Sequence, residues 1–203
     1  MDDKPVLMNP NSSIAETPEV AAQQVANVRR YFCGRPLVVS PVTLRPRFNP
    51  NSTGPEPVVP TGELPPQVDP RQISLLGAAW TRPRSRRSAE SGEASAIFYE
   101  ATGSRGMMET AAGSPLPEKF PSIPRAVFPL YHVLVDVGDF SGGEVLRTES
   151  SDPLAVASLL SRAGGRCRLI VANLCAEPRC ARLQILMKSF YRARRMPRLA
   201  SHP

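Results

Sequence analysis

Long apolar runs are missing from this chain. Nothing approaches the roughly 18 consecutive apolar residues of a membrane-spanning helix, so no transmembrane segment and no membrane partner is expected. The opening Met1-Asp2-Asp3-Lys4 is acidic and lacks the apolar core of a secretory leader, which makes the cytoplasm the expected location. Histidine is scarce, with only His132 and His202. The four cysteines, Cys33, Cys167, Cys175 and Cys180, form no C-x-x-C pair. That spacing excludes a zinc module, predicts reduced thiols, and leaves no metal and no cofactor to expect. Aromatic residues are also few, and none is interleaved with the arginines of Arg82, Arg84, Arg86 and Arg87. A base-stacking surface needs that interleaving, so specific nucleic-acid binding is not expected.

The net charge of +7 is concentrated in two short segments. Residues 176–203 hold seven Lys or Arg against one Glu, and the cluster at 82–87 holds four arginines. The remainder of the chain is slightly acidic. Proline is abundant, at 23 of 203 residues. Residues 50–68 form a Pro-rich stretch without periodicity, which in a compact domain is either functional or without fixed structure.

Chemistry concentrates at Ala96-Ile97-Phe98-Tyr99-Glu100, followed by Ala101-Thr102-Gly103-Ser104-Arg105-Gly106. The apolar run predicts a strand buried on both faces, as in a helix-covered parallel sheet. The carboxylate of Glu100 then falls at the strand's C-terminal end, the rim where α/β sheets and barrels bind ligands. Glu100 with Arg105 is the leading candidate site; an ion pair that merely closes the rim is the structural alternative. A second apolar run, residues 36–44, reads as a buried strand that Pro41 bends or ends early. Arg45, Arg47 and Asn49 follow it and suit recognition of a carboxylate or of sugar hydroxyls. Solvated arginines bracing a loop are the alternative there.

The other elements are read from caps and periods. Thr17-Pro18-Glu19 starts a helix with Val20, Val25, Val28 and Phe32 near one face, closed by Gly34. Asp69-Pro70-Arg71-Gln72 reads as a capping box opening a helix through Ile73, Leu76, Ala79 and Trp80, with Trp80 in the core. Residues 126–135 read as a helix with Pro129 near its first turn and His132 as a packing residue. Residues 143–148, 155–160 and 166–173 read as antiparallel strands separated by Ser-Asp-Pro and Gly-Gly turns.

Four segments, residues 40–57, 63–81, 98–140 and 142–159, together make the chain resemble the C-terminal part of the D-apionate lactonase family. The resemblance spans about 36–174 and rests on the order of these segments, since no single motif is diagnostic. It implies an α/β fold: a partial TIM-type (β/α) barrel, the last strand–helix units, followed by a small antiparallel β-domain. The implied domains are a barrel segment at 1–140, the start of the β-domain at 141–175, and a disordered basic tail at 176–203. The segments at 82–93 and beyond Leu174 depart from the family pattern, and they carry the anomalous charge; a truncated or frame-shifted reading frame is the expectation this raises. The implied activity is sugar-lactone hydrolysis, with Glu100 catalytic and Arg45, Arg47, Asn49 and Arg105 binding the substrate. The partner is then a small sugar or sugar lactone, with self-association through exposed barrel edges. The alternative is a non-catalytic remnant, or a carbohydrate-binding or interaction protein, with a basic tail that binds polyanions without specificity.

Overall fold

The computed structural model describes residues 23, 25–31, 36–45, 53–55, 58–81 and 95–184, and the backbone of 194–195 and 198–199. Helix α1 covers 25–31, with Val25 buried and Val28 partly exposed, so the predicted apolar face is only half used. Phe32 and Gly34 lie outside the described residues, as does the predicted helix start. Strand β1 is Val38–Val42. A 3-10 turn at Pro70–Ile73 leads into helix α2 over 75–81. Strands β2 (Ser95–Phe98), β3 (Glu100–Thr102) and β4 (Gly106–Met108) follow, then helix α3 (Pro129–Gly138). Strands β5 (Glu144–Leu146), β6 (Val156–Ala163) and β7 (Arg166–Asn173) come next, with two-residue strands β8 (Arg194–Arg195) and β9 (Arg198–Leu199) near the end.

The chain is thus α/β, with parallel pairing in its first part and a small antiparallel sheet in its second. β1, β2 and β9 form a parallel sheet in that order. β3 and β4 make a parallel pair of their own. β7, β6, β5 and β8 form the antiparallel sheet. Four residues of the basic end therefore pair with β5 and β2; the arginine cluster at 82–87 lies outside the described residues.

The first core gathers Val42, Trp80, Phe98, Tyr99, Phe120 and Leu130, among others. Burying side chains of this size contributes about 1.5–3 kcal/mol each. Both apolar runs form strands, but neither is buried on both faces. In β2, Ala96 and Phe98 are buried while Ser95 and Ile97 are half-covered. In β1 only Val42 is buried and Val38 is 53% exposed. The β1–β2 register also shifts between Val39 and Val42, where Pro41 offers no N–H to the ladder. Phe120, fully buried and edge-on to Phe128 at 5.9 Å, enters this core from a Pro-rich loop rather than from a regular element.

Helix α3 begins at Pro129, three residues later than predicted, because Val127 is engaged in a bridge with Met108. Proline at N1 loses nothing there, since the first helical N–H has no partner within the helix. Leu130 sits in the first core, and Val137 sits in a second with Phe140, Val145 and Leu159. Arg168 on β7 pins the helix end: it pairs with Asp136 at 2.5 Å and Asp139 at 3.1 Å and lies 5.1 Å over the Phe140 ring. His132 is exposed, against expectation, and contacts only the Tyr131 ring among the interactions described. β6 and β7 are joined by Gly164 and Gly165 at φ +54° and +76°, the two left-handed positions that a tight hairpin turn needs.

Candidate functional site

The parallel strands β1 and β2 end side by side, with Val42 opposite Phe98, and the Tyr99 N–H continues the pairing to the Val42 carbonyl at 3.2 Å. Past this point the two chains carry Arg45 and Glu100. Tyr99 has φ +51°, a left-handed conformation uncommon for a large side chain. It separates β2 from β3 and sends the phenol ring into the core, 1% exposed. The phenol meets the Thr81 hydroxyl at 2.9 Å, and Thr81 donates onward to the Gly77 carbonyl at 2.8 Å. With the Thr81 proton so committed, the Tyr99 O–H is the donor to Thr81. Burial pushes the phenol well above its ordinary value, the Thr81 bond offsetting it only in part, so Tyr99 stays neutral.

Glu100 then starts a tight loop. Its N–H donates to the Arg105 carbonyl at 3.1 Å, and the Arg105 Nε lies 3.2 Å from Glu100 Oε1. The two side chains are 29% and 42% exposed, so the pair faces solvent at the rim. Gly106 closes the loop by close approach: a Cβ there would stand 2.5 Å from the Thr102 backbone. From beneath, the buried Gln72 donates its Nε2 to the Gly106 carbonyl at 2.6 Å. That bond corrects the capping-box expectation. Asp69 does cap the 3-10 turn, accepting from the Arg71 N–H, but Gln72 reaches the Glu100 loop instead of back to the cap.

Arg45 pairs with Asp69 rather than standing free in the loop. The Asp69 carboxylate, with the residue 1% exposed, accepts from Arg71 Nε at 2.9 Å, Arg71 Nη2 at 2.7 Å and Arg45 Nε at 3.4 Å. Burial alone would raise its pKa; the bonds and charge of Arg71, with Arg45 adding, outweigh that and hold it below the ordinary carboxylate value. The same bonds raise the Arg71 guanidinium above its own. Arg45 remains about half exposed, its Nη1 only 3.5 Å from the Pro66 carbonyl.

The structure therefore brings Glu100 and Arg105 into contact and sets Arg45 on the neighbouring strand end. Arg47 and Asn49 lie outside the described residues. Asp69 and Gln72 escaped notice as site residues because both looked like local helix caps. Glu109 escaped altogether. It follows β4, is 2% exposed, accepts from the Thr110 N–H at 2.7 Å and from the Ser122 hydroxyl, and thereby staples the Pro-rich loop. Among the described residues, no group of three or more His, Cys, Asp or Glu could hold a metal ion, and no helix is long and apolar enough to cross a membrane.

No curated protein and no solved structure matches the chain significantly. A family model does: the TIM barrel domain of D-apionate lactonase matches residues 9–142. The match takes in both strand ends, the Asp69 turn and helix α3, and stops just short of β5. It spans well over half of the 203 residues, and the chain belongs to the D-apionate lactonase family.

Proposed function

We propose that the rim formed by the ends of β1 and β2 binds a sugar lactone and that Glu100 activates the water that opens it. The observation that carries this reading is that a part-exposed carboxylate, Glu100, and a half-exposed guanidinium, Arg45, follow directly on the C-terminal ends of adjacent parallel strands, β2 and β1. Lactone opening asks for little more. A carboxylate takes a proton from water as its oxygen attacks the ring carbonyl, and a cation steadies the charge that develops on the carbonyl oxygen. The ring C–O bond then breaks, its oxygen takes a proton, and a hydroxy acid leaves. Arg105 orients Glu100, and Arg45, with Arg47 and Asn49 beyond it in sequence, holds the substrate. On this reading β1 and β2 are strands of a partial TIM-type barrel, and β5–β8 begin a C-terminal β-domain.

The Glu100–Arg105 contact also supports a second reading, in which the pair only closes the rim and the chain binds a sugar without turnover. Hydrolysis of aldonolactones by the full chain and by Glu100→Gln separates the two. The proposal expects turnover that Glu100→Gln abolishes while leaving the fold intact. Turnover unchanged in Glu100→Gln, or none in the unmodified chain, overturns it.

A further inference from the structure

We infer that the antiparallel sheet, with the basic end of the chain paired onto it, is a docking surface for the phosphate backbone of a nucleic-acid duplex, held by charge and blind to sequence. The inference goes beyond the lactone reading and does not use the rim. All of the net charge lies in this part of the sequence: residues 144–203 hold eleven Lys or Arg against four Asp or Glu, while residues 1–143 hold fourteen of each. The fold anchors part of that charge. β8, Arg194-Arg195, pairs antiparallel with β5, and β9, which begins at Arg198, pairs with β2. Arg195 stands opposite Glu144, and from β6 Arg162 stands opposite the same residue and donates twice to its carboxylate, at 3.0 and 2.6 Å. One acid thus lies between two arginine positions. Arg147 and Arg168 are matched by acids of their own. Among the described residues, Arg166, Arg179 and Arg182 are exposed and make no ion pair; Arg166 only lies 5.7 Å over the Phe140 ring.

The residue types select the partner. Ten of the eleven cations are arginine, whose planar fork of N–H donors engages phosphate oxygens two at a time. Residues 141–189 contain no aromatic side chain, so the sheet offers a single strand no platform for base stacking. What remains is attraction to a backbone, and a duplex presents phosphate charge most densely.

Fluorescence anisotropy of the full chain with a labelled DNA duplex of about 20 base pairs tests this; engaging about four phosphates predicts an affinity loss of about a hundredfold between about 50 and 200 mM salt. Two duplexes of unrelated sequence should bind within twofold of each other. Arg194→Gln with Arg195→Gln should lose at least fivefold and flatten the log–log salt slope by about two. Arg86→Gln with Arg87→Gln, in the other arginine cluster, should change nothing. Anchoring has its own readout in the urea midpoint followed by Trp80. A duplex that grips paired strands binds the folded chain better than the unfolded one and raises the midpoint, whereas a free tail binds both alike and leaves it unmoved. Trp80 fluorescence also checks that each variant is folded; if the Arg194/Arg195 variant is not, Arg179→Gln with Arg182→Gln decides. No duplex binding at the lower salt, whether or not a sulfated polysaccharide binds, overturns the inference. So does binding undiminished at the higher salt, a tenfold preference for one sequence, less than a twofold loss in the deciding variant, a loss carried by the 86–87 pair instead, or an unmoved midpoint.

Discussion

Replacing Asp69 by Asn preserves the shape of the side chain and removes the charge at the centre of the arginine cluster. One oxygen becomes an NH2 group aimed at guanidinium donors, so at least one of the two Arg71 fork bonds, 2.9 and 2.7 Å, becomes a donor–donor clash. Breaking a fully buried ion pair costs about 3–5 kcal/mol. Here the cations are 32% and 47% exposed and can be hydrated, so that figure must be discounted. What remains is the loss of charge-assisted hydrogen bonds, about 1.5–3 kcal/mol. We expect Asp69→Asn to destabilise the chain by about 2 kcal/mol at pH 7. The assay is urea unfolding followed by Trp80, the only tryptophan in the sequence and a member of the adjoining core. With a slope of about 1–3 kcal/mol per molar urea, the midpoint falls by roughly 1 M. The acid dependence gives a second check. Asp69 is held below its unfolded value, so its contribution is complete above about pH 4 and is lost as pH falls through the lower folded value. The two proteins should therefore converge in stability below about pH 4. A difference under about 0.5 kcal/mol at pH 7, or one that persists unchanged to pH 2, would refute the assignment of Asp69 as the ionised keystone of the turn.

Glu100→Gln should leave the unfolding free energy nearly unchanged, within about 1 kcal/mol, because the Arg105 it pairs with is 42% exposed and such pairs contribute little; a larger loss would show that the pair is structural. Gln72→Leu should cost about 1–3 kcal/mol, since it leaves the buried Gly106 carbonyl without its donor, and should slow aldonolactone turnover by disturbing the Glu100 loop; equal stability and turnover would sink the coupling. β1 is an edge among the described strands and Val38 is half exposed, so the chain should elute as more than 22.1 kDa on size exclusion, increasingly so with concentration. A concentration-independent monomer would count against edge pairing.

What could be read in advance was local. β7 coincides with its predicted span, and the Gly164-Gly165 turn was legible because two glycines between apolar runs leave few alternatives. Trp80, the Asp69 cap and the break at Pro41 followed from rules that act within a few residues. The rest depends on partners distant in the chain. Gln72 meets Gly106 across 34 positions, and Phe120 finds Phe128 and the core from a loop with no period to betray it. The start of α3 was misjudged because the apolar run 126–135 holds no mark showing that Val127 would bridge to Met108. Glu100 and Arg105 could be paired from sequence since the loop between them is short; the diversion of Arg45 to Asp69 could not, because it joins residues 24 positions apart.

Helix α3 is ten residues long, about 15 Å, and gives Leu130 to one core and Val137 to the other. A strut of that kind leaves no hinge. Any rotation of the antiparallel sheet against the rim must pull one of these side chains out of its socket or snap the Arg168 clasp at the helix end. The same holds for any cut in the chain: a break anywhere from 130 to 137 would strip one core of part of its wall.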